Sequence, residues 1–226
     1  MNTTFPKSIV IGIGGEKHHG KDLLGRMVCA KLNDLLPHST GATKITHFAD
    51  SLKERASRIF GVQVHRFHSQ ELKEEPFAEP IRMDRYLTQM RDDLCLRILP
   101  RSLTAHTPRQ LAQLFGTEYV RSIDPKFWTD SILDVRDPDA TALNLVIPDV
   151  RFDDEADAIH AVGGLVVRIV RSDLPPSGET HASEQITFLP DIFVTAKTGE
   201  KDKIAFAALI IAETAISRFA SSLLNP

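Results

Sequence analysis

The stretch Gly15-Glu16-Lys17-His18-His19-Gly20-Lys21-Asp22 follows the apolar run Ile9-Val10-Ile11-Gly12-Ile13 and opens a segment of helical pattern. The order is therefore strand, glycine-bounded loop, helix. A loop of this kind turns successive backbone N–H groups inward, and with the positive end of the following helix they form a cradle for phosphate oxygens. Lys21 adds a mobile point charge suited to terminal phosphates. The pattern is G-x-x-x-x-G-K, with Asp22 where Ser or Thr usually stands. The dinucleotide fingerprint G-x-G-x-x-G fails, because Lys17 stands where its third glycine would be.

Working outward, Leu23, Leu24, Met27, Val28 and Leu32 recur at helical spacing, which predicts a helix over 21–35 packed on a sheet. A short strand at 44–48 leads into a helix capped by Asp50 or Ser51 and running to Phe60. Residues 61–82 are rich in His, Glu and Pro without a clear period and read as a mobile insertion outside the core. Helices are expected at 83–99, 108–121 and 125–135. Strands are expected at 143–147, ending at Pro148-Asp149-Val150-Arg151, at 165–170 and at 192–194, with a helix start at 153–155 and a last helix at 202–222. Strands alternating with helices predict a mostly parallel sheet covered on both faces. Ligands then sit beyond the carboxyl ends of the strands, where Lys21, Asp50, Asp149 and Arg171 would gather along one edge.

Composition narrows the possibilities. A chain of 226 residues can bury roughly 70% or more of its unfolded surface and needs no staples. The net charge of −3 and pI near 6.3 give no general attraction to nucleic acid or to anionic membranes. Cys29 and Cys95, the two cysteines, suit a reducing compartment as inert buried thiols rather than a disulfide. No secretory leader pattern opens the sequence, and the apolar segment 204–212 is too short to span a bilayer. The expectation is a cytoplasmic protein without nucleic-acid or membrane partners.

Several side chains could do chemistry. Asp22 offers a hard oxygen that could hold Mg²⁺ directly or through water, the competing role being a carboxylate stabilised by the helix dipole. Thr107-Pro108 is a good helix start, after which Arg109, Gln113, Thr117 and Arg121 follow at spacing four as one polar stripe, with Gly116 leaving room for a ligand or backbone. A solvated helix face would give the same period. Arg85, Arg151 and Arg171 could grip phosphate bidentately or be ordinary surface residues. Asp149 could hold Mg²⁺ or a base edge, or cap a turn or helix. His65 and His68, with no cysteine nearby, make a poor zinc site.

Taken together, Gly20-Lys21-Asp22, Asp84-Arg85, Arg109-x-Leu111-x-Gln113-x-x-Gly116-Thr117, Asp124 with Trp128, Val146-Ile147-Pro148-Asp149-Val150-Arg151 with Glu155, and Thr180-His181-x-Ser183-Glu184 resemble the deoxynucleoside monophosphate kinases of tailed bacteriophages. The resemblance implies a P-loop kinase fold related to adenylate and thymidylate kinases: a three-layer α/β sandwich forming one domain over 1–226. A helical acceptor-nucleotide region would occupy about 61–140 and a lid about 171–189. It implies ATP as co-substrate, Mg²⁺, a deoxynucleoside monophosphate acceptor and a possible homodimer. Carried over by position, Gly15, Lys17, His19, Gly20, Lys21, Asp22, Leu23 and Arg171 belong to the ATP side, with Asp22 as the Mg²⁺ residue. Leu52, Lys53, Arg85, Arg109, Gln113, Gly116, Thr117, Trp128, Asp149, Arg151 and Glu155 belong to the acceptor side, and Lys21, Arg151 and Arg171 to the transfer itself. The chain departs from the family at Thr195-Ala196-Lys197-Thr198-Gly199, where the family has an Asn-Asp-Gly-like turn near the adenine. Phosphomevalonate kinases of the P-loop type share the Gly-Lys-Asp loop and a strand ending in Asp-x-Arg, but the stretch from Arg109 to Thr117 argues against them. A nucleotide-binding protein that transfers nothing is the non-enzymatic alternative.

Overall fold

In the computed structural model, residues 8–37, 41–96, 101–133, 143–175 and 187–224 are described. The elements in chain order are β1 (Val10–Gly14), α1 (Lys21–Leu35), β2 (Thr43–Ile45), α2 (Phe48–Phe60), α3 (His65–His68), β3 (Ile81–Arg82), a 3₁₀ turn (Met83–Tyr86), α4 (Leu87–Leu94), β4 (Thr104–Ala105), α5 (Pro108–Gln113), a π-helical stretch (Leu114–Val120), α6 (Arg121–Ile123), α7 (Phe127–Leu133), β5 (Asn144–Val150), α8 (Asp153–Ala161), β6 (Leu165–Arg171), β7 (Ile192–Ala196) and α9 (Lys201–Leu224). The chain forms two compact units, one of residues 1–48 with 132–226 and one of residues 49–131.

The first unit is a five-stranded parallel sheet in the order β2-β5-β1-β6-β7. Alternation along the strands feeds two cores. Ile11, Ile13, Val146, Leu165, Val167 and Ile169 meet Leu24, Val28 and Leu32 of α1 and Ile204, Ala208, Ile211 and Ala215 of α9. On the other face Val10, Ile147, Val150 and Val166 meet Ala156 and Ile159 of α8, with Phe48 and Phe188. Helices thus cover both faces, as in the three-layer sandwich of P-loop kinases. The chain leaves β1 toward β2 and leaves β6 toward β7, so the switch point of the sheet lies between β1 and β6, at the mouth of the glycine loop.

Pro148 does not end its strand. β5 runs on to Val150 because the register with β1 slips, with Gly12 opposite Ile147 but Gly14 opposite Val150. That irregularity is what admits a residue without an N–H into a central strand.

α9 is longer than its apolar segment suggested. It spans 24 residues, long and apolar enough by length and composition to cross a membrane, yet one side packs on α1 and the sheet. Neither cysteine is disulfide-bonded; of the thiols expected to be buried, Cys29 is half-buried and Cys95 is exposed.

The second unit is helical, with a two-stranded antiparallel β3–β4 ribbon. Its core is aromatic: Phe60 meets Tyr86 and Phe115 edge-on at 5.1 and 5.3 Å, and Phe115 meets Trp128 at 5.9 Å. Residues 61–82 are part of this core and not an insertion beside it, since Val62 and Phe67 are buried within it and Phe77 packs against it. Their apolar residues are placed by long-range backbone bonds, Phe77 N–H to the His106 carbonyl and Arg109 N–H to that of Lys73, so no local period betrays them. Asp93 of α4 accepts from Arg55 at 2.7 Å and from Arg58 at 2.9 Å of α2.

At the amino end of the sheet, Asp191 ties together three elements, β6, α8 and α9. It accepts from the Val166 N–H at 2.8 Å and from Arg218 at 2.9 Å, and the His160 ring nitrogen lies 2.9 Å away. Burial pushes its carboxyl up, but the bonds from Arg218, Val166 and His160 prevail and hold it below the ordinary range. A depressed carboxyl contributes stability that is present above its unfolded-state value, about 3.9, and is lost as pH falls through the folded value. Asp191→Asn is therefore expected to lower stability by about 1–3 kcal/mol at pH 7. Urea unfolding of both proteins from pH 7 to 3 checks this: the gap should narrow below about pH 4, and an unchanged gap would contradict the linkage.

Candidate active site

β1 ends at Gly14, and the chain turns through Gly15–Gly20 into α1. The turn is closed by the His19 N–H on the Glu16 carbonyl at 3.2 Å. His18 at φ 67° and Gly20 at φ 92° are both left-handed, a conformation that glycine adopts without strain. Gly20 is the N-cap of α1 and has no side chain to cap it, so the first N–H groups of a 15-residue helix open onto the turn. Lys21 arches back to place its ammonium 3.0 Å from the Glu16 carbonyl. Backbone donors, the helix dipole and a lysine thus converge on one turn at the carboxyl end of the central strand, an arrangement that suits a polyphosphate.

The flanking residues have distinct tasks. Lys17 and His18 are exposed, and Leu23 is half-buried against the sheet core. His19 is buried; desolvation lowers its pKa and keeps the ring neutral. The ring hydrogen-bonds the Ile169 backbone, and its Nδ1 has no partner. His19 thus ties the loop to β6 and, with its pKa lowered by burial, offers no cation to a phosphate. Arg171, expected at the transferring group, gives its Nε–H to the His19 carbonyl at 3.3 Å and its Nη1 to the Lys197 carbonyl. Asp22 is 72% exposed in the first turn of α1, with its Oδ1 4.0 Å from His47 Nε2.

Asp149 accepts from the Phe48 N–H at 3.0 Å, so it caps α2 from β5. The expected cap Asp50 instead lies in the first turn of α2, with Lys53 3.6 Å away. Glu155 is buried, and its Oε2 accepts from the N–H groups of Arg151 at 2.8 Å and Phe152 at 3.2 Å. Its carboxylate shapes the turn that carries Arg151.

In the second unit the Thr107-Pro108 start is as read: the Thr107 hydroxyl accepts from the Gln110 N–H at 3.1 Å, and Pro108 is the first helical residue. Arg109, Gln113, Thr117 and Arg121 are all half-buried, unlike a solvated face. Arg109 pairs with Glu74, and Arg85 is exposed. Gly116 and Trp128, expected beside the acceptor, both carry packing contacts. A Cβ on Gly116 would stand 1.9 Å from Leu52 Cδ1, so the room it leaves is filled by Leu52, another expected acceptor residue. Trp128 is 2% exposed and donates its indole N–H to the Gly116 carbonyl at 3.2 Å. The π-helical turn around Gly116, a widening often found at functional sites, left no trace in the spacing.

The sequence singled out neither His47 beside Asp22 nor Asp173, whose carboxylate accepts from the Thr198 N–H at 2.9 Å. Both lie in connections without period. Thr180, His181, Ser183, Glu184 and most of the expected lid fall outside the described residues. Among the described residues no three His, Cys, Asp or Glu side chains gather into a metal site. Asp22, exposed in the first turn of α1, offers the kind of ligand Mg²⁺ takes, one or two carboxylates together with phosphate oxygens and water.

Residues 96–190 match the family described as Deoxynucleotide monophosphate kinase. No curated protein matches. The matched stretch carries Arg109 to Trp128 and Asp149 to Glu155, while the glycine loop lies outside it, so loop geometry and family match are independent observations.

The packing at Gly116 makes a prediction. Gly116→Ala should destabilise the second unit by about 1–3 kcal/mol through overpacking against Leu52. Leu52→Ala in the same protein should recover part of that loss in a double-mutant cycle followed by urea unfolding, whereas strictly additive losses would contradict the contact.

Proposed function

We propose that this chain, which matches the deoxynucleotide monophosphate kinase family over 96–190, transfers the γ-phosphoryl group of ATP to a deoxynucleoside monophosphate, giving the diphosphate and ADP. The family match supports deoxynucleotide monophosphate kinase activity in general. The observation that carries the specific reading is the glycine-capped start of α1, with Lys21 folded across its turn.

A monophosphate has its second pKa near 6, so the attacking oxygen is mostly ionised at pH 7 and no catalytic base is needed. The task is to hold two polyanions, offset their repulsion and stabilise the moving phosphoryl group. In this reading the loop amides and Lys21 hold the ATP phosphates. Arg85 and Arg109 take the acceptor phosphate, for which Arg109 exchanges Glu74 for a more highly charged partner. Arg151 serves the transferring group, on a turn fixed by Glu155. Mg²⁺ bound with ATP supplies charge neutralisation of the phosphates, and Asp22 is the residue that would hold it.

Lys21→Ala is expected to lose several orders of magnitude in turnover while remaining folded, because its charge acts mainly where phosphoryl charge develops. Near-normal turnover would remove Lys21 from the mechanism. Arg109→Ala should chiefly raise the acceptor KM, and an unchanged acceptor KM would contradict its assignment. The test of the function itself is a coupled assay for ADP release with each deoxynucleoside monophosphate in turn and with mevalonate phosphate. Release that depends on a deoxynucleotide supports the proposal. Release only with mevalonate phosphate, or ATP binding without acceptor-dependent release, overturns it.

A further inference from the structure

β6 reads Leu165-Val166-Val167-Arg168-Ile169-Val170-Arg171, and a parallel strand covered on both faces ordinarily carries apolar residues along its length. Arg168 breaks that rule in the middle of the strand. Side chains alternate along a strand, so Arg168 points to the same face as Val166, the face on which α8 packs. Its partners across the two ladders are Gly14 of β1 and Phe193 of β7. The side chains beside it on that face are therefore Val166, Val170 and Phe193, with none at Gly14. Phe188 fills the space over that glycine, where a Cβ would stand 2.3 Å from its Cζ. None of these neighbours can pair with a cation.

Arg168 is half-buried. Its Nε is shut off from solvent, and among the described residues the guanidinium has neither a hydrogen-bond nor an ion-pair partner. The contrast with other half-buried arginines is plain: Arg55, Arg66 and Arg109 pair with Asp93, Glu75 and Glu74, and Arg171 donates to two carbonyls. A partly buried cation without a partner loses hydration and gains no compensating bond within the protein. A place for a compensating anion lies directly beside it, because Gly14 is the last residue of β1 and the phosphate loop departs from it. The charge of Arg168 reaches that loop. Burial is the main cause of the lowered pKa of His19, and the charges of Lys21 and Arg168 add to it against Glu16 and the Ile169 bond.

We propose that Arg168 is a further binding residue for the donor's phosphates: its charge stands without a counter-ion in the free protein and is offset by the polyanion that settles on the loop. This rests on the reading of the loop as the donor-phosphate site. Lys21 and the loop amides hold the polyphosphate from the start of α1, and Arg168 adds a cation from β6. A residue so placed exchanges stability for affinity. It weakens the free protein, whereas an arginine kept for folding strengthens it, so the sign of its effect on stability separates the two roles.

The test is equilibrium binding of magnesium tripolyphosphate, of MgATP and, separately, of a deoxynucleoside monophosphate to the full chain, in the wild type, Arg168→Met and Arg168→Lys. Thermal unfolding of each protein without ligand is measured alongside. Arg168→Met is expected to weaken tripolyphosphate and ATP alike, by about tenfold, as for loss of one charge-assisted bond, with the monophosphate within about twofold. Its unfolding temperature without ligand should rise by about 2–4 °C, because a charge that nothing offsets has been removed. Arg168→Lys keeps the charge and should recover most of the affinity for both polyphosphates. Equal tripolyphosphate affinity in wild type and Arg168→Met would overturn the proposal, as would a loss confined to the monophosphate. A lower unfolding temperature for Arg168→Met would also overturn it, by marking the arginine as part of the fold. Failure of the wild type to bind either polyphosphate would instead overturn the reading of the loop.

Discussion

The constraint on which the first unit depends is the enclosure of β1. Its five residues are all buried, it is paired on both edges by β5 and β6, and it is covered on both faces by helices. A strand so enclosed has one exit at its carboxyl end, and the chain leaves it through a tight turn directly at the switch point of the sheet. The neighbours then fix the turn. His19 anchors it to β6, Arg171 spans it, and the first turn of α1 continues it. The turn is held in place by the same packing that holds the sheet together, so a ligand placed on it would require little ordering of the loop.

Much of this was legible because its causes are local. The glycine-bounded loop, the start of α1, the Thr107-Pro108 cap and the order of strands and helices are each encoded within a few neighbouring residues. α1 was expected over 21–35 and spans Lys21–Leu35. What escaped depends on distant partners. Asp149 caps a helix that begins 101 residues earlier in the chain, Pro148 stays in its strand through a slip against β1, and Val62 and Phe67 enter an aromatic core from a stretch without period.

The candidate site divides in the same way. Residue types pointed to phosphate chemistry, and the structure shows them to differ in burial and in the contacts they make. Lys21, Asp22, Arg85 and Gln113 keep exposed or half-buried side chains. Trp128, Gly116, Leu52 and Glu155 do structural work at one remove. Sequence spacing cannot separate these groups, because a glycine that makes room for a ligand and one that makes room for a leucine look alike until the leucine is seen.

The central claim is that the turn from Gly15 to Lys21 is a phosphate cradle already formed before nucleotide arrives. The most direct measurement is a crystal structure of the full chain with Mg²⁺ and a non-hydrolysable ATP analogue. The account predicts phosphate oxygens within hydrogen-bond distance of the N–H groups of residues 15–22, with His18 and Gly20 still left-handed. A triphosphate bound away from this turn, or a turn refolded to receive it, would contradict the account.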